Sequence, residues 1–254
     1  MQTEYHRWRS PSLEQEMELK VYGYYGEPVL VFPAQGGRFF EYEDFGMIAA
    51  IAPFIESGRV KVFTIDSVDN QSWANFGAHP ADRARRHEAY DAYVVQEVVP
   101  FIHRHCGGAL PIAATGCSMG GYHAANVFFR HPDLFDTMVS LSGLFQLRLF
   151  IGDYMDETVY RNAPLAFLPG LEDPWYLDRY RASTIIVCSG QGAWEDAMLA
   201  DANALRRILD AKGVPHLTDI WGHDVNHDWP WWRKMMPHFL ASLDLPAYVP
   251  PASS

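Results

Sequence analysis

Residues 112–123 read IAATGCSMGGYH, and this stretch contains a G-x-S-x-G motif centred on Ser118. The apolar residues 112–117 are typical of a buried strand, and residues 119–130 have the pattern of a helix. A serine on a tight turn between a strand and a helix exposes its hydroxyl, and small flanking residues avoid clashes there. The motif therefore predicts that Ser118 is a nucleophile, with the backbone N–H of Met119 as one donor to an oxyanion.

Cys117 is an alternative nucleophile beside Ser118, since some hydrolases with this kind of turn use a thiol. The nucleophile must occupy the central position of the five-residue motif, and that position belongs to Ser118. Cys117 lies one residue earlier, where its side chain is expected to point into the protein. We therefore interpret Cys117 as a structural thiol.

The rest of the chain alternates between short apolar runs and longer helical patterns. The predicted strands are residues 5–9, 17–24, 28–32, 60–66, 112–117, 137–141, 184–189 and 216–221. The predicted helices are residues 43–56, 81–105, 119–130, 196–211 and 230–243. Runs rich in Val and Ile that alternate with amphipathic stretches indicate an α/β fold, with a mostly parallel central sheet flanked by helices.

The domain organisation follows from the length of 254 residues, which suits one α/β domain. We assign that domain to residues 1–244. Residues 144–181 break the alternation and are rich in aromatic side chains, which favours a small ordered cap inserted over a site. Residues 245–254 are expected to form a loose tail.

A serine nucleophile needs a histidine to accept its proton. In hydrolases that carry the serine on this kind of strand-to-helix turn, the histidine comes late in the chain. Residues 221–232 supply two candidates, His223 and His227. We favour His227, because Pro230 suits the first turn of a helix and places His227 at the end of the preceding loop. The H-x-x-x-H spacing of the pair would suit a metal on one helix, but the stretch is predicted to be a loop. We therefore expect no metal and no cofactor.

The acid that orients the histidine should follow the strand predicted at residues 184–189. Glu195 and Asp196 lie side by side at this place, just before a predicted helix. Either carboxylate can simply open the helix, where the dipole favours negative charge, while the other serves the triad. We favour Glu195, and Asp196 stays open.

The second oxyanion donor is expected in the loop after the strand at residues 28–32. This loop reads PAQGGRFFEY at positions 33–42. Its small residues and glycines permit close approach of the backbone to a substrate carbonyl. We nominate the backbone N–H of Gln35, although a plain turn would use the same glycines.

The composition restricts the class of partner. The net charge of −11 disfavours nucleic acid and anionic membrane surfaces as partners. The three cysteines are not a disulfide framework, and no export signal or membrane-spanning apolar run is visible. We expect a soluble cytoplasmic protein that acts on a small-molecule ester, and the sequence leaves a homo-oligomer open.

Several motifs together carry a family resemblance: GCSMGG at 116–121, HDWPWW at 227–232, FPAQGGR at 32–38 and YRNAP at 160–164. The chain resembles the esterase D-like family of α/β-hydrolases, which includes S-formylglutathione hydrolases and mycolyltransferases. The resemblance implies an α/β-hydrolase fold and a triad of Ser118, His227 and either Glu195 or Asp196. Two features depart from the family: Pro33-Ala34 replaces a His-Gly or Asp-Gly pair, and residues 190–196 exceed the usual Gly-x-x-Asp.

These observations favour a serine carboxylesterase that cleaves small, short-chain acyl esters through an acyl-enzyme. An acyltransferase or a thioesterase would use the same triad, so the sequence does not separate them. A non-catalytic binding module on the same fold is the third hypothesis. The presence of both Ser118 and His227 in the expected order argues against that module.

Overall fold

The computed structural model describes residues 1–245. Its strands are β1 (Thr3–Ser10), β2 (Gln15–Tyr22), β3 (Glu27–Phe32), β4 (Val60–Ile65), β5 (Ile112–Cys117), β6 (Phe135–Leu141), β7 (Thr184–Ser189) and β8 (Leu217–Ile220). Its α-helices are α1 (Glu41–Asp44), α2 (Met47–Ala50), α3 (Ala52–Glu56), α4 (Pro80–Tyr93), α5 (Val99–His105), α6 (Met119–Arg130), α7 (Arg148–Ile151), α8 (Glu157–Arg161), α9 (Pro164–Phe167), α10 (Pro174–Ala182), α11 (Asp196–Ala211) and α12 (Trp229–Ser242).

The strands form one sheet in the order β1-β2-β4-β3-β5-β6-β7-β8. β1 and β2 pair antiparallel, as do β2 and β4, whereas the strands from β3 to β8 are parallel to one another. The predicted mostly parallel α/β sheet is therefore confirmed. Because parallel strands end at the same edge, the loops after β3, β5, β6 and β7 converge there.

The central strands are buried on both faces, because helices cover each side of the sheet. In β3, Val29 and Val31 pack in a core with α2 and α12, whereas Leu30 and Phe32 pack in a core with α4, α6 and α11. Alternate residues of a strand point to opposite faces, so a doubly covered strand becomes a continuous apolar run. This is the pattern from which the strands were predicted.

The helix predicted over residues 43–56 is wrong as a single helix. The chain forms α1, α2 and α3 instead, and Gly46 adopts the left-handed conformation with φ of 74° between the first two. Such a residue ends an α-helix, and glycine adopts it without steric penalty. Apolar periodicity persists across the breaks, since all three short helices pack on one core.

The helix predicted over residues 81–105 contains an irregular turn. α4 passes through a π-helical turn at Val94–Val98 into α5. Pro100, near the start of α5, cannot donate a hydrogen bond to the preceding turn, and its ring crowds that turn. A widened turn relieves this conflict without breaking the helix.

The segment predicted to form a cap, residues 144–181, contains α7, α8, α9 and α10. Leu144, Leu147, Ile151 and Val159 of this segment lie in one apolar cluster with Met119. The predicted loose tail is only partly described: Leu245 is buried and its carbonyl accepts a hydrogen bond from Arg59 at 2.8 Å, and the other tail residues lie outside the described chain. Within residues 1–245, none of the helices is long and apolar enough to cross a bilayer.

Candidate active site

Ser118 lies on a strained turn between β5 and α6. Its φ of 57° and ψ of −119° are unusual for a residue with a side chain. The flanking glycines are required by close backbone approach: a Cβ on Gly116 would lie 2.4 Å from the Gly120 carbonyl carbon. A Cβ on Gly120 would lie 2.3 Å from the Phe32 oxygen. The turn can therefore form only with glycine at both positions, which explains the motif.

His227 lies within hydrogen-bond distance of the serine. Its Nε2 is 2.9 Å from the Oγ of Ser118, although the two residues are 109 positions apart. The loop that carries His227 ends at Asp228, whose carboxylate caps α12 by accepting from the N–H of Trp229 at 2.7 Å. In the structure His227 lies at the end of a loop next to a helix, as predicted.

The loop of His227 is bound to the loop that follows β7. The backbone N–H of Gly192 donates to the Val225 carbonyl at 2.8 Å, and that of His227 donates to the Ala193 carbonyl at 3.0 Å. A Cβ on Gly190 would lie 2.1 Å from the Val225 oxygen. The glycines that lengthen residues 190–196 therefore allow the two loops to pack backbone against backbone.

Glu195 is the acid nearest to His227. Its Oε1 lies 3.5 Å from the Nδ1 of His227, and its side chain is fully buried. Asp196, the alternative acid, is exposed in the first turn of α11, where it stabilises the helix N-terminus. The structure thus brings Glu195 to the histidine and leaves Asp196 in the role of a helix-opening residue.

Two serines and a tryptophan surround the Glu195 carboxylate. Ser142 donates to its Oε1 at 2.5 Å, and Ser189 donates to its Oε2 at 2.9 Å. Trp232 donates its indole N–H to the Ser142 oxygen at 3.0 Å, and its ring packs edge-on against His227. These donors offset part of the cost of burying a charge and orient the carboxylate.

The sequence interpretation missed Ser142, Ser189 and Trp232 as members of the site. Ser142 follows β6 and Ser189 ends β7, the two strands that come after the nucleophile strand β5 in the sheet, and that position at the convergent edge is the one signal available. Trp232 belongs to the HDWPWW motif, but the motif alone does not predict which residues Trp232 contacts. Only the packing of α12 against the loop after β6 shows what these side chains touch.

Two further candidates lie outside the constellation. His223 is exposed and makes no hydrogen bond or ion pair with any residue in the described range 1–245. Cys117 is fully buried beneath the turn, with its Sγ 3.7 Å from the hydroxyl of Tyr42. Burial raises the pKa of the Cys117 thiol, so it is a poor source of thiolate.

The loop after β3 packs against the serine turn. The carbonyl oxygen of Pro33 would lie 2.8 Å from a Cβ on Gly120. The backbone N–H of Ala34 donates to the Glu41 carboxylate at 2.7 Å. Among residues 1–245, neither the N–H of Gln35 nor that of Met119 donates to another group. Both predicted oxyanion donors therefore have their N–H groups available.

The parallel sheet and the serine–histidine contact at its carboxyl edge define an α/β-hydrolase fold with a nucleophile turn. The chain belongs to the esterase family: the family model described as "Putative esterase" matches residues 10–243. The protein is thus an ester-hydrolysing enzyme, and the predicted family resemblance is confirmed.

Solved structures support the same fold over nearly the whole chain. A ferulic acid esterase is 17% identical, with a TM-score of 0.73 and coverage of 94% of this chain and 96% of that one. The S-formylglutathione hydrolase from Agrobacterium tumefaciens is 15% identical, with a TM-score of 0.71 and coverage of 94% and 93%. The fluorophosphonate-binding serine hydrolase FphF of Staphylococcus aureus is 17% identical, with a TM-score of 0.68 and coverage of 95% and 97%. The comparison with curated proteins gave no match.

Proposed function

We propose that the protein is a serine carboxylesterase that hydrolyses small, short-chain acyl esters through an acyl-enzyme. The observation that carries this proposal is the 2.9 Å contact between the Ser118 hydroxyl and the His227 imidazole. This distance permits proton transfer from the hydroxyl to Nε2 as the oxygen attacks. Membership of the esterase family supports an ester as the substrate.

The reaction has two halves that use the same groups. Ser118 Oγ attacks the ester carbonyl while His227 takes its proton, and the N–H groups of Met119 and Gln35 donate to the oxyanion. The imidazolium then protonates the leaving alcohol, and the acyl group remains on Ser118. His227 then deprotonates a water molecule, which attacks the acyl carbonyl, and the bond between the acyl group and Ser118 Oγ breaks to release the carboxylic acid. The imidazolium returns its proton to Ser118 Oγ, which restores the free enzyme.

Glu195 is proposed as the acid that orients His227. The full burial of its carboxylate, 3.5 Å from Nδ1, supports this role, since a charge in a low-dielectric site stabilises the imidazolium that forms during attack. The hydrogen bonds from Ser142 and Ser189 hold the carboxylate in place.

Glu195→Gln is expected to lower kcat by about 10⁴-fold, because the amide cannot stabilise an imidazolium. Asp196→Asn is the matched control one residue away, and it should change kcat less than about threefold because its side chain is exposed. Initial rates with p-nitrophenyl acetate measure both variants. Equal, small losses in the two variants would remove Glu195 from the mechanism.

A cavity in the cap segment supports the proposal that the acyl group is small. A cavity of about 250 Å³ is lined by residues that include Leu147, Ile151, Val159 and Ala163. The same four residues belong to the apolar cluster of Met119, the neighbour of the nucleophile. We propose that the acyl chain is directed toward this cavity.

Hydrolysis of p-nitrophenyl esters from acetate to decanoate tests this assignment. We expect kcat/KM to be highest for the acetate or butyrate and to fall with longer chains, because the surrounding core is already filled. Rates that rise up to the decanoate would contradict a short-chain substrate.

We also infer a reducing, cytoplasmic setting for this activity. Cys106, Cys117 and Cys188 are all free thiols, and the last two are buried. Such thiols are typical of proteins that never meet an oxidising compartment.

A further inference from the structure

Three ligand-type side chains meet at the edge of the sheet, away from Ser118. Glu4 and His6 are two residues apart on β1, so they share one face of the strand. His105 is the last residue of α5. The Glu4 Oε2 lies 3.2 Å from the Nε2 of His6 and 3.0 Å from the Nε2 of His105.

This cluster is remote from the proposed catalytic site by topology. His105 precedes the loop that enters the amino end of β5, whereas Ser118 follows the carboxyl end of the same strand. β1 is also an edge strand, and three strands separate it from β5. A ligand bound here would not contact the substrate of Ser118.

The spacing of the three ligand atoms suits a tetrahedral metal ion. Zinc binds imidazole nitrogen and carboxylate oxygen at about 2.0–2.2 Å, so neighbouring ligand atoms lie about 3.3–3.6 Å apart. The distances from the Glu4 carboxylate oxygen to the two imidazole nitrogens are close to this ligand–ligand spacing, and all three atoms lie within 4.8 Å of one another. Small side-chain movements would therefore place them around one ion.

Aromatic packing holds both imidazoles in position. The Phe101 ring packs edge-on to His6, with centroids 4.9 Å apart, and lies 5.4 Å from the His105 ring. Phe63 packs edge-on to His105 at 5.6 Å. Ligands that are already oriented lose little conformational freedom when they bind.

The cluster is accessible and carries the charge that a cation needs. The side chains of His6, Glu4 and His105 are 30%, 31% and 17% exposed. Glu4 supplies a carboxylate, the anionic group among the three ligands. The nearby Lys61 ammonium donates to the His105 carbonyl at 3.4 Å, not to Glu4.

We propose that Glu4, His6 and His105 bind one Zn²⁺ ion, with water as the fourth ligand. Imidazole nitrogens and a carboxylate oxygen are ligands that zinc accepts, and three protein ligands leave one position open. The ion would connect the edge strand β1 to the end of α5. The proposal departs from the sequence-based expectation of no metal, which considered only His223 and His227.

Calorimetric titration of the tag-free, chelator-treated full chain with Zn²⁺ tests the proposal. We expect one equivalent to bind and the Tm of the protein to rise with Zn²⁺ concentration. His6→Ala should weaken binding by more than about 100-fold, since removing even an outer partner of a ligand costs about 10- to 100-fold. His103→Ala, on the same helix as His105, is the control and should bind like the unaltered chain.

A second measurement keeps the result independent of folding defects. Co²⁺ in a four-coordinate site absorbs strongly in the visible, and this absorption should appear in the unaltered chain and in His103→Ala but not in His6→Ala. Circular dichroism checks that each variant is folded. No binding by the unaltered chain would overturn the proposal, and so would unchanged binding in folded His6→Ala.

Discussion

Ser118→Ala is expected to lower kcat for p-nitrophenyl acetate by about 10⁶-fold, to the rate supported by binding and oxyanion donors alone. The methyl group supplies no oxygen for attack, so an acyl-enzyme cannot form. The fold should persist, because the one hydrogen bond that the Ser118 side chain makes within residues 1–245 is to His227. Initial rates and intact-mass spectrometry after treatment with a fluorophosphonate measure the two consequences.

Cys117→Ala separates Ser118 from the neighbouring thiol. Because Cys117 is fully buried and burial raises its thiol pKa, this variant should keep the single fluorophosphonate adduct. The adduct should vanish from Ser118→Ala. An adduct that persists in Ser118→Ala would locate the nucleophile elsewhere and would remove the basis of the proposed mechanism.

His227→Gln is expected to lower kcat by a similar factor of about 10⁶, because no other base lies within reach of Ser118 in the described chain, residues 1–245. Glutamine approximates the size of the imidazole but cannot accept the hydroxyl proton. Initial rates and the rate constant of fluorophosphonate labelling should both fall, since each depends on deprotonation of the serine.

His223→Gln is the matched control on the same loop. His223 is exposed and has no hydrogen bond or ion pair within residues 1–245, so its replacement should change kcat less than about threefold. A larger loss in His223→Gln than in His227→Gln would reverse the assignment of the base. Thermal unfolding of both variants checks that the loop packing survives.

Much of the candidate site could be predicted from the sequence, because its parts carry local signals. The glycines around Ser118 are required by contacts below 3 Å within the turn and with the adjacent strand. The chain order of serine, acid and histidine limits where the partners occur. The sequence could not decide between Glu195 and Asp196, because adjacent residues share the same sequence context. The two carboxylates differ in burial and in distance to His227, and both quantities depend on the folded structure.

Other features could not be predicted from the sequence alone. Residue 142 supports the carboxylate of residue 195 only because parallel β6 and β7 lie side by side. Glu4 and His105 are 101 positions apart, yet β1 and α5 bring them to one point. The break at Gly46 was hidden, because the apolar pattern continues across α1, α2 and α3.

By itself, the sequence determined the fold class, the strained turn at Ser118 and the late loop that carries His227. These depend on short-range sterics and on the period of apolar residues, both of which are written along the chain. Tertiary structure decided that the Glu195 carboxylate is buried beside His227, that Ser142 and Trp232 lie around it, and that Glu4, His6 and His105 converge. Such contacts join residues far apart in the chain, and burial, which sets their energies, exists only once the sheet and helices have packed.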